Sequence, residues 1–326
     1  MTAEKIKLGE ALYFDKRLSA DGTVSCATCH DPASAFTDRN AIAVGIQSSP
    51  GTRSAPTVLN AMFSSTLFWD GRALSLEEQA KQPLVNSTEM GMQDYEAVVA
   101  RVAGVPDYVE RFRRVFKSEV SIDTIVKAIA AFERTQLSGN SPFDRFIAGE
   151  RAAITSAQKR GWNLFRGKAQ CIECHTFSRG APFFTDFDFH NTGVATKGRN
   201  FERLAQDARG ISAGKLAHAE RFSDLGRYLV TSRPKDIGAF KTPTLRDIEL
   251  TAPYMHEGSQ KTLLDVVSFY NQGGEANPYL DERIRPLNLT DEEMNALVEF
   301  MRSLTSDEVL RRTQTTKPQS RVAVRE

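Results

Sequence analysis

Along the chain, apolar residues recur most clearly at helical spacing. From Ser121 to Leu137 they fall at Ile122, Ile125, Ile129 and Phe132, one face of a 3.6-residue repeat, and Ser121 stands where an N-cap belongs. Thr262 opens a second pattern, with Leu263, Val266, Val267 and Tyr270 at i, i+3, i+4 and i+7. A third follows Thr290, which forms a capping box with Glu293 ahead of Met294, Leu297, Val298 and Met301. Short helices are expected around Gly9, Leu12 and Phe14 and around Gly161, Leu164 and Phe165. Between residues 176 and 240 periodicity fades and glycine is frequent, which predicts a long irregular excursion wrapped over the second half's binding site. From Ser306 onward the chain is polar and is expected to fray. The pattern as a whole predicts a mainly α protein.

At 326 residues and 36.2 kDa the chain is long enough for two domains of ~150 residues. Its 40% hydrophobic and 25% charged residues exclude disordered and collagen-like classes. With 42 Lys+Arg against 41 Asp+Glu there is no electrostatic footprint for nucleic acid. No apolar run approaches the ~20 residues of a membrane span. The opening MTAEKIKLGE lacks the apolar segment of a signal peptide, so an exported protein would carry this sequence in its mature form.

All four cysteines lie in two copies of one motif: Cys26, Cys29 and His30 in CATCH, and Cys171, Cys174 and His175 in CIECH. Cys-x-x-Cys-His attaches c-type haem: two thiols three residues apart reach one porphyrin edge, and the next residue turns its imidazole under the iron. A chance pair, a redox dithiol or half a zinc site would be the other readings of a single copy. Two copies, each followed by His and leaving no cysteine over, point to two covalently bound haems c. Such attachment takes place outside the bacterial cytoplasm, which predicts a periplasmic protein.

The motifs sit in a duplicated chain. Residues 56–83 and 243–270 align at a constant offset of 187, pairing Pro56 with Pro243, Thr57 with Thr244, Gly71 with Gly258, Ser75 with Thr262 and Leu76 with Leu263. The expected organisation is two tandem cytochrome c-like haem domains with long irregular loops, residues 1–150 and 151–305, followed by a flexible tail, 306–326. The same offset sets Tyr270 opposite Pro83, which has no side chain able to bind iron, and no His occurs between His30 and His175. The first iron is therefore expected to keep an open side.

Two CxxCH segments together with APTVLNA, FWDGRA, KTPTLRD and TAPYMHEG resemble the bacterial di-haem cytochrome c peroxidase family over nearly the whole chain, and its MauG branch in particular. The resemblance implies that Tyr270 is the second ligand of the second haem, opposite His175, where ordinary members carry Met. A phenolate favours the ferric and higher states, whereas a thioether favours ferrous iron. Met255, the rival ligand, stands before the relevant helix. Ordinary members place a displaceable distal His in the stretch occupied here by GIQSSPGTRS. By the same resemblance Glu89 is the distal carboxylate of the first haem with Gln79 as polar partner, and Trp69 is an oxidisable relay between the haems. A calcium is implied between the domains, held by the carbonyls of Thr251 and Pro253 and by Ser54, which stands in place of the family's Asn. Of the other residues, Trp162 is expected to pack, His256 and His190 to lie near the second haem, and His218 to be exposed. Ala169 departs from MauG, which has an exit Trp at this position.

The function implied is that of a periplasmic enzyme using hydrogen peroxide to reach a high-valent two-haem state that oxidises Trp or Tyr residues of a partner protein. The alternatives are a cytochrome c peroxidase fed electrons by a small cytochrome or cupredoxin, and a plain electron carrier. A carrier would keep both irons six-coordinate, against Pro83.

Overall fold

The computed structural model describes residues 1–196, 200–208 and 221–315. In the first half, α1 (Ala3–Tyr13) leads to α2 (Cys26–Cys29), and α3 (Leu76–Val85), α4 (Tyr95–Ala103), α5 (Pro106–Phe116) and α6 (Ile122–Glu133) follow. The second half holds α7 (Pro142–Ile147), α8 (Ser156–Arg166), α9 (Phe201–Asp207), α10 (Tyr228–Thr231), α11 (Leu263–Asn271) and α12 (Asp291–Arg302). A last helix, α13, spans Asp307–Thr315. Short strands β1 (Phe189–His190) and β2 (Phe240–Lys241) pair antiparallel. The protein is thus mainly helical, as its pattern predicts.

The three predicted caps form. Ser121 Oγ accepts from the Thr124 amide, Thr262 Oγ1 from Asp265, and Thr290 Oγ1 from Glu293, each satisfying an amide that the first turn leaves without a partner. α6 ends at Glu133, short of the expected Leu137, because Asn60 holds the chain beyond it: its side chain donates to the Ser138 carbonyl and accepts from the Ser138 amide, both at 3.0 Å.

Each half is built on one close helix crossing. A Cβ on Gly9 of α1 would lie 1.8 Å from the Ala128 carbonyl oxygen of α6, and one on Gly161 of α8 would lie 1.9 Å from that of Ala296 on α12. Only glycine admits that approach. The duplication read from the sequence continues in the backbone. A single antiparallel bridge pairs Leu67 with Ala73, and another pairs Tyr254 with Gln260. Asn60, Phe68 and Gly71 adopt positive φ, as do Asp247, Met255 and Gly258, each 187 residues on.

The cores differ in kind. Leu8, Leu12, Leu84, Ile125 and Ile129 dominate the first, whereas Phe143, Phe165, Phe184 and Phe300 fill the second, with ring centroids 5.0–5.9 Å apart. Burying each such side chain contributes about 1.5–3 kcal/mol. The halves meet through reciprocal bonds: the Ser54 amide donates to the His256 carbonyl (2.8 Å), and the Lys241 amide to the Trp69 carbonyl (2.9 Å). Lys241 is the counterpart of Ser54 and His256 that of Trp69, so the contact is isologous, as across a local two-fold axis.

Two expectations change. The polar stretch after Ser306 is helical over Asp307–Thr315, because Val309 anchors it: that side chain is buried in the first core, and Arg145 pairs with Asp307 at 2.9 Å. Residues 316–326 and His218 lie outside the described residues. The excursion of 176–240 reaches beyond the second half. The Ser223 carbonyl accepts from Arg53, and Arg227 donates to the carbonyls of Asp70 and Gly71, so this segment also covers the seam.

Candidate haem centres

Both Cys-x-x-Cys-His segments fold as one tight helical turn. The His30 amide donates to the Cys26 carbonyl at 3.0 Å and that of His175 to Cys171 at 2.9 Å, which sets both sulfurs and the imidazole on adjacent parts of one surface. His30 Nδ1 hydrogen-bonds the Phe36 carbonyl (3.3 Å) and His175 Nδ1 that of Phe184 (2.9 Å). With Nδ1 so engaged, Nε2 is the nitrogen left to ligate. Burial lowers both imidazoles below their ordinary value, which favours the neutral, ligating form. It also pushes the thiols of Cys26, Cys29 and Cys171 up to about 12, the opposite of the activation a redox dithiol needs. This donor set fits a haem in each half.

The carbonyls that orient the imidazoles are themselves anchored in duplicate. Thr57 Oγ1 donates to the Ala35 carbonyl (2.7 Å), beside Phe36, and Thr244 Oγ1 to that of Phe183 (2.6 Å), beside Phe184. The sequence comparison pairs these threonines but assigns them no role. Their hydroxyls brace the loop that fixes each imidazole.

The opposite sides diverge. Pro83 stands eight residues past the Ser75 cap of α3, and Tyr270 eight past the Thr262 cap of α11, so the two share one helical register. Tyr270 is half-buried. Burial, then the Cys174 and Cys171 sulfurs, hold its phenol above the ordinary range, against the opposing pull of a hydrogen bond with Thr192. In the first half the chain folds back after α3: the Met90 amide donates to the Pro83 carbonyl (3.2 Å) and so brings Glu89 beside Pro83. Burial raises the Glu89 carboxyl against the pull of Arg72 and Asn86, and its charge acts on both Cys26 and Cys29. Gln79 lies one turn before Pro83. The glutamine that engages Arg72 is Gln82, which accepts from its Nε at 2.9 Å. Neither Arg72 nor Gln82 stands out in the sequence, since nothing in the pattern joins FWDGRA to α3.

Between the halves, Trp69 is half-buried and its Nε1 donates to the Ser54 carbonyl at 2.9 Å. Its ring meets His256 edge-on with centroids 6.5 Å apart, and His256 stacks on Phe240 at 3.7 Å. Asp70, wholly buried, bonds Arg53 (2.8 Å) and Arg72 (2.9 Å); burial raises its carboxyl, but the two guanidinium groups outweigh that and hold it low. At the expected calcium position the Ser54 amide and carbonyl are committed to His256 and Trp69. Ser54, Thr251 and Pro253 then offer three neutral oxygens, fewer than the six to eight that calcium takes, so water would have to supply the rest.

Comparison with known proteins decides the family. The model for di-haem cytochrome c peroxidase matches residues 3–152. Cytochrome-c peroxidase IdrP1 of Denitromonas iodatirespirans is 38% identical over 95% of this chain and 84% of its own length. Methylamine utilization protein MauG of Methylorubrum extorquens is 40% identical over 94% and 80%. The crystal structure of a MauG-like protein associated with microbial copper homeostasis superposes with a TM-score of 0.81 at 32% identity, covering 96% of this chain and 93% of that one. The chain belongs to the di-haem cytochrome c peroxidase family. It is accordingly an oxidoreductase with haem cofactors.

Other residues of this di-haem protein take structural places. His190 bonds Asp186 through Nε2 (2.9 Å) and Asp281 through Nδ1 (2.7 Å). Burial lowers its basicity, but Asp186, Cys174 and Asp281 overcome that and push it up to about 10. Among the described residues, Cys174, Asp186 and His190 are the one His/Cys/Asp/Glu cluster close enough to chelate an ion. Its cysteine belongs to the haem motif and its imidazole is engaged at both nitrogens. Trp162 packs among Phe143, Phe165, Phe177, Phe184 and Phe300. Ala169 is buried in the same core. No helix among the described residues is long and apolar enough to cross a membrane.

Proposed function

We propose that this enzyme works in the periplasm, takes hydrogen peroxide at its first haem and uses both haems to withdraw electrons from Trp or Tyr residues of a partner protein. The observation that carries the reading is the shared register of Pro83 and Tyr270: one helix position, repeated, offers nothing to the first iron and a phenol to the second. The division into two halves follows the same repeat, but the boundary expected between residues 1–150 and 151–305 moves forward to before α7 (Pro142–Ile147), which packs Phe143 into the second core. Cys26 and Cys29 would hold one haem together with His30, and Cys171 and Cys174 would hold the other together with His175 and Tyr270. When bound, haem supplies the one-electron iron chemistry. A calcium on Ser54, Thr251 and Pro253 would brace the seam.

The protein's own groups do the rest. Pro83 leaves room for peroxide while denying water a hydrogen-bonding side chain. Glu89, kept more basic than usual by burial, holds a proton at its carboxyl and moves it between the peroxide oxygens, with Arg72 as fixed positive charge and Gln79 at the edge of the site. Trp69 divides the path between the haems into two shorter steps. Its Nε1 proton faces a carbonyl, a poor base, so the indole exchanges electrons without losing that proton.

A second reading has its own support: relatives named cytochrome-c peroxidase are about as similar as those named MauG. In that reading a small cytochrome or cupredoxin supplies the electrons. Electron paramagnetic resonance of the ferric protein tests the shared core, with one high-spin and one low-spin haem in equal amounts expected. Two low-spin centres would remove the open site. Peroxide added without any small donor then separates the readings: the protein-oxidising enzyme holds its two equivalents for minutes, whereas a scavenging peroxidase loses them or needs prior reduction.

A further inference from the structure

Behind the first haem motif the helix crossing holds a buried acid that the chemistry above leaves idle. Glu133 ends α6, is 6% exposed, and its Oε2 has no hydrogen-bond partner among the described residues. The matching position of the second half's crossing carries no such group. Gly9 meets Ala128 and Phe132 as Gly161 meets Ala296 and Phe300, so Glu133 falls where α12 carries Met301, and Tyr13 of α1 falls where α8 carries Phe165. Both polar groups face the first motif: the Tyr13 hydroxyl donates to the His30 carbonyl at 2.9 Å, and the Glu133 charge acts on Tyr13 and on the Cys26 sulfur.

The titratable and charged groups facing Glu133 are Arg134 of its own helix, Glu77 of α3, Tyr13 of α1 and Cys26 of α2. Arg134 is not a spare counter-ion, since its two terminal nitrogens each donate to Glu77 at 2.8 Å. Burial, against the pull of Arg134, pushes the Glu133 carboxyl up to about 8.

We infer that Glu133 is the proton partner of the first haem: it takes up one proton when the haem on His30 gains an electron and returns it when that electron leaves. This rests on the reading that CATCH carries a haem. The step balances as one electron from the reductant to the iron and one proton from solvent to a Glu133 carboxylate oxygen, with the O–H bond the only bond formed. An added electron removes a positive charge beside a carboxylate that has no counter-ion, and in a low-dielectric interior this favours the neutral acid. Linkage is reciprocal, so if reduction strengthens proton binding, a falling proton concentration must weaken electron binding. The second haem, backed by Met301, lacks the coupling.

Spectroelectrochemical titration of the two-haem protein from pH 6 to 9, with each haem followed at its own band, tests this. The expected result is a first-haem potential that falls as pH rises through the Glu133 range, approaching one proton per electron, beside a second-haem potential without that slope. Glu133→Gln keeps the shape and removes the proton, so it should flatten the first-haem profile at unchanged haem content. Infrared difference spectra should gain a protonated-carboxyl band on reduction in the wild type and lose it in the variant. A slope that survives Glu133→Gln, or no slope in the wild type, overturns the role of Glu133. A protein carrying one haem per chain defeats the reading beneath it.

Discussion

The two halves of this protein repeat the same side of a haem site and differ on the other. Behind each iron position both use a Gly-to-carbonyl helix crossing, a threonine hydroxyl on a loop carbonyl, and the next carbonyl on a histidine Nδ1. At the repeated helix position one half has Pro83, with Glu89 beside it, and the other has Tyr270. The buried carboxylates diverge likewise. Asp70 sits between Arg53 and Arg72, whereas its counterpart Glu257 has Phe240 and Ser259 at the matching positions and keeps a buried Oε1 without a partner among the described residues. On the proposed reading, a duplicated fold keeps the residues that would hold the cofactor and lets the groups facing it specialise.

The largest expected effect breaks the comparison at its reactive end. Glu89→Gln keeps the volume but removes the group that carries a proton, and general acid–base catalysis is worth about 10²–10⁴-fold. Stopped-flow mixing with peroxide should show the first haem reacting slower by at least 10²-fold, with both haems bound. A rate within threefold of wild type would return Glu89 to a merely buried acid. Next, Tyr270→His should shorten the life of the two-equivalent oxidised protein by tenfold or more, ~1.4 kcal/mol of lost differential stabilisation, because imidazole offers less charge compensation than phenolate.

Much of this contrast is legible from residues alone. The CxxCH pairs, the capped helices and the register of Pro83 against Tyr270 are local patterns, and the constant 187-residue offset carries them into the fold. The illegible parts join distant segments. Arg72 meets Gln82 only because α3 folds over FWDGRA, Glu133 becomes buried only at the α1 crossing, and α13 is anchored by Val309 and by the pairing of Asp307 with the distant Arg145, in a stretch with only one other apolar residue, Leu310. Composition carries no trace of such contacts. α6 stops at Glu133, short of Leu137, for a similar reason, since Asn60, some eighty residues earlier, holds Ser138 off the helix.

The equivalence of the halves can be sharpened at their crossings. Gly9→Ala and Gly161→Ala each place a methyl group under 2 Å from a backbone oxygen, so the helices must part. Overpacking of this kind costs about 1–3 kcal/mol, and thermal unfolding should register similar losses in both variants. A loss confined to one would show that the crossings are not equally tight. Trp69→Phe tests the seam more gently. It forfeits one hydrogen bond to Ser54, about 1 kcal/mol, yet should leave the second haem unresponsive while peroxide still reacts at the first. Rapid-scan spectra in which both haems change together at the wild-type rate would reduce Trp69 to packing.

The smallest effect examines the shared scaffold itself. Thr57→Val and Thr244→Val retain the branched shape of the side chain but lose the hydroxyl that pins the Ala35 or Phe183 carbonyl. Each should lower stability by roughly 1 kcal/mol, the net worth of an ordinary hydrogen bond, and loosen the neighbouring carbonyl that orients the imidazole. The sharper readout is therefore the haem and not the melting curve: Thr57→Val should shift the spectrum and potential of the first haem alone, and Thr244→Val those of the second alone. Because the two anchors are copies, the shifts should agree in sign. Shifts of opposite sign, or a shift at the unaltered haem, would mean that the two proximal loops no longer do the same work.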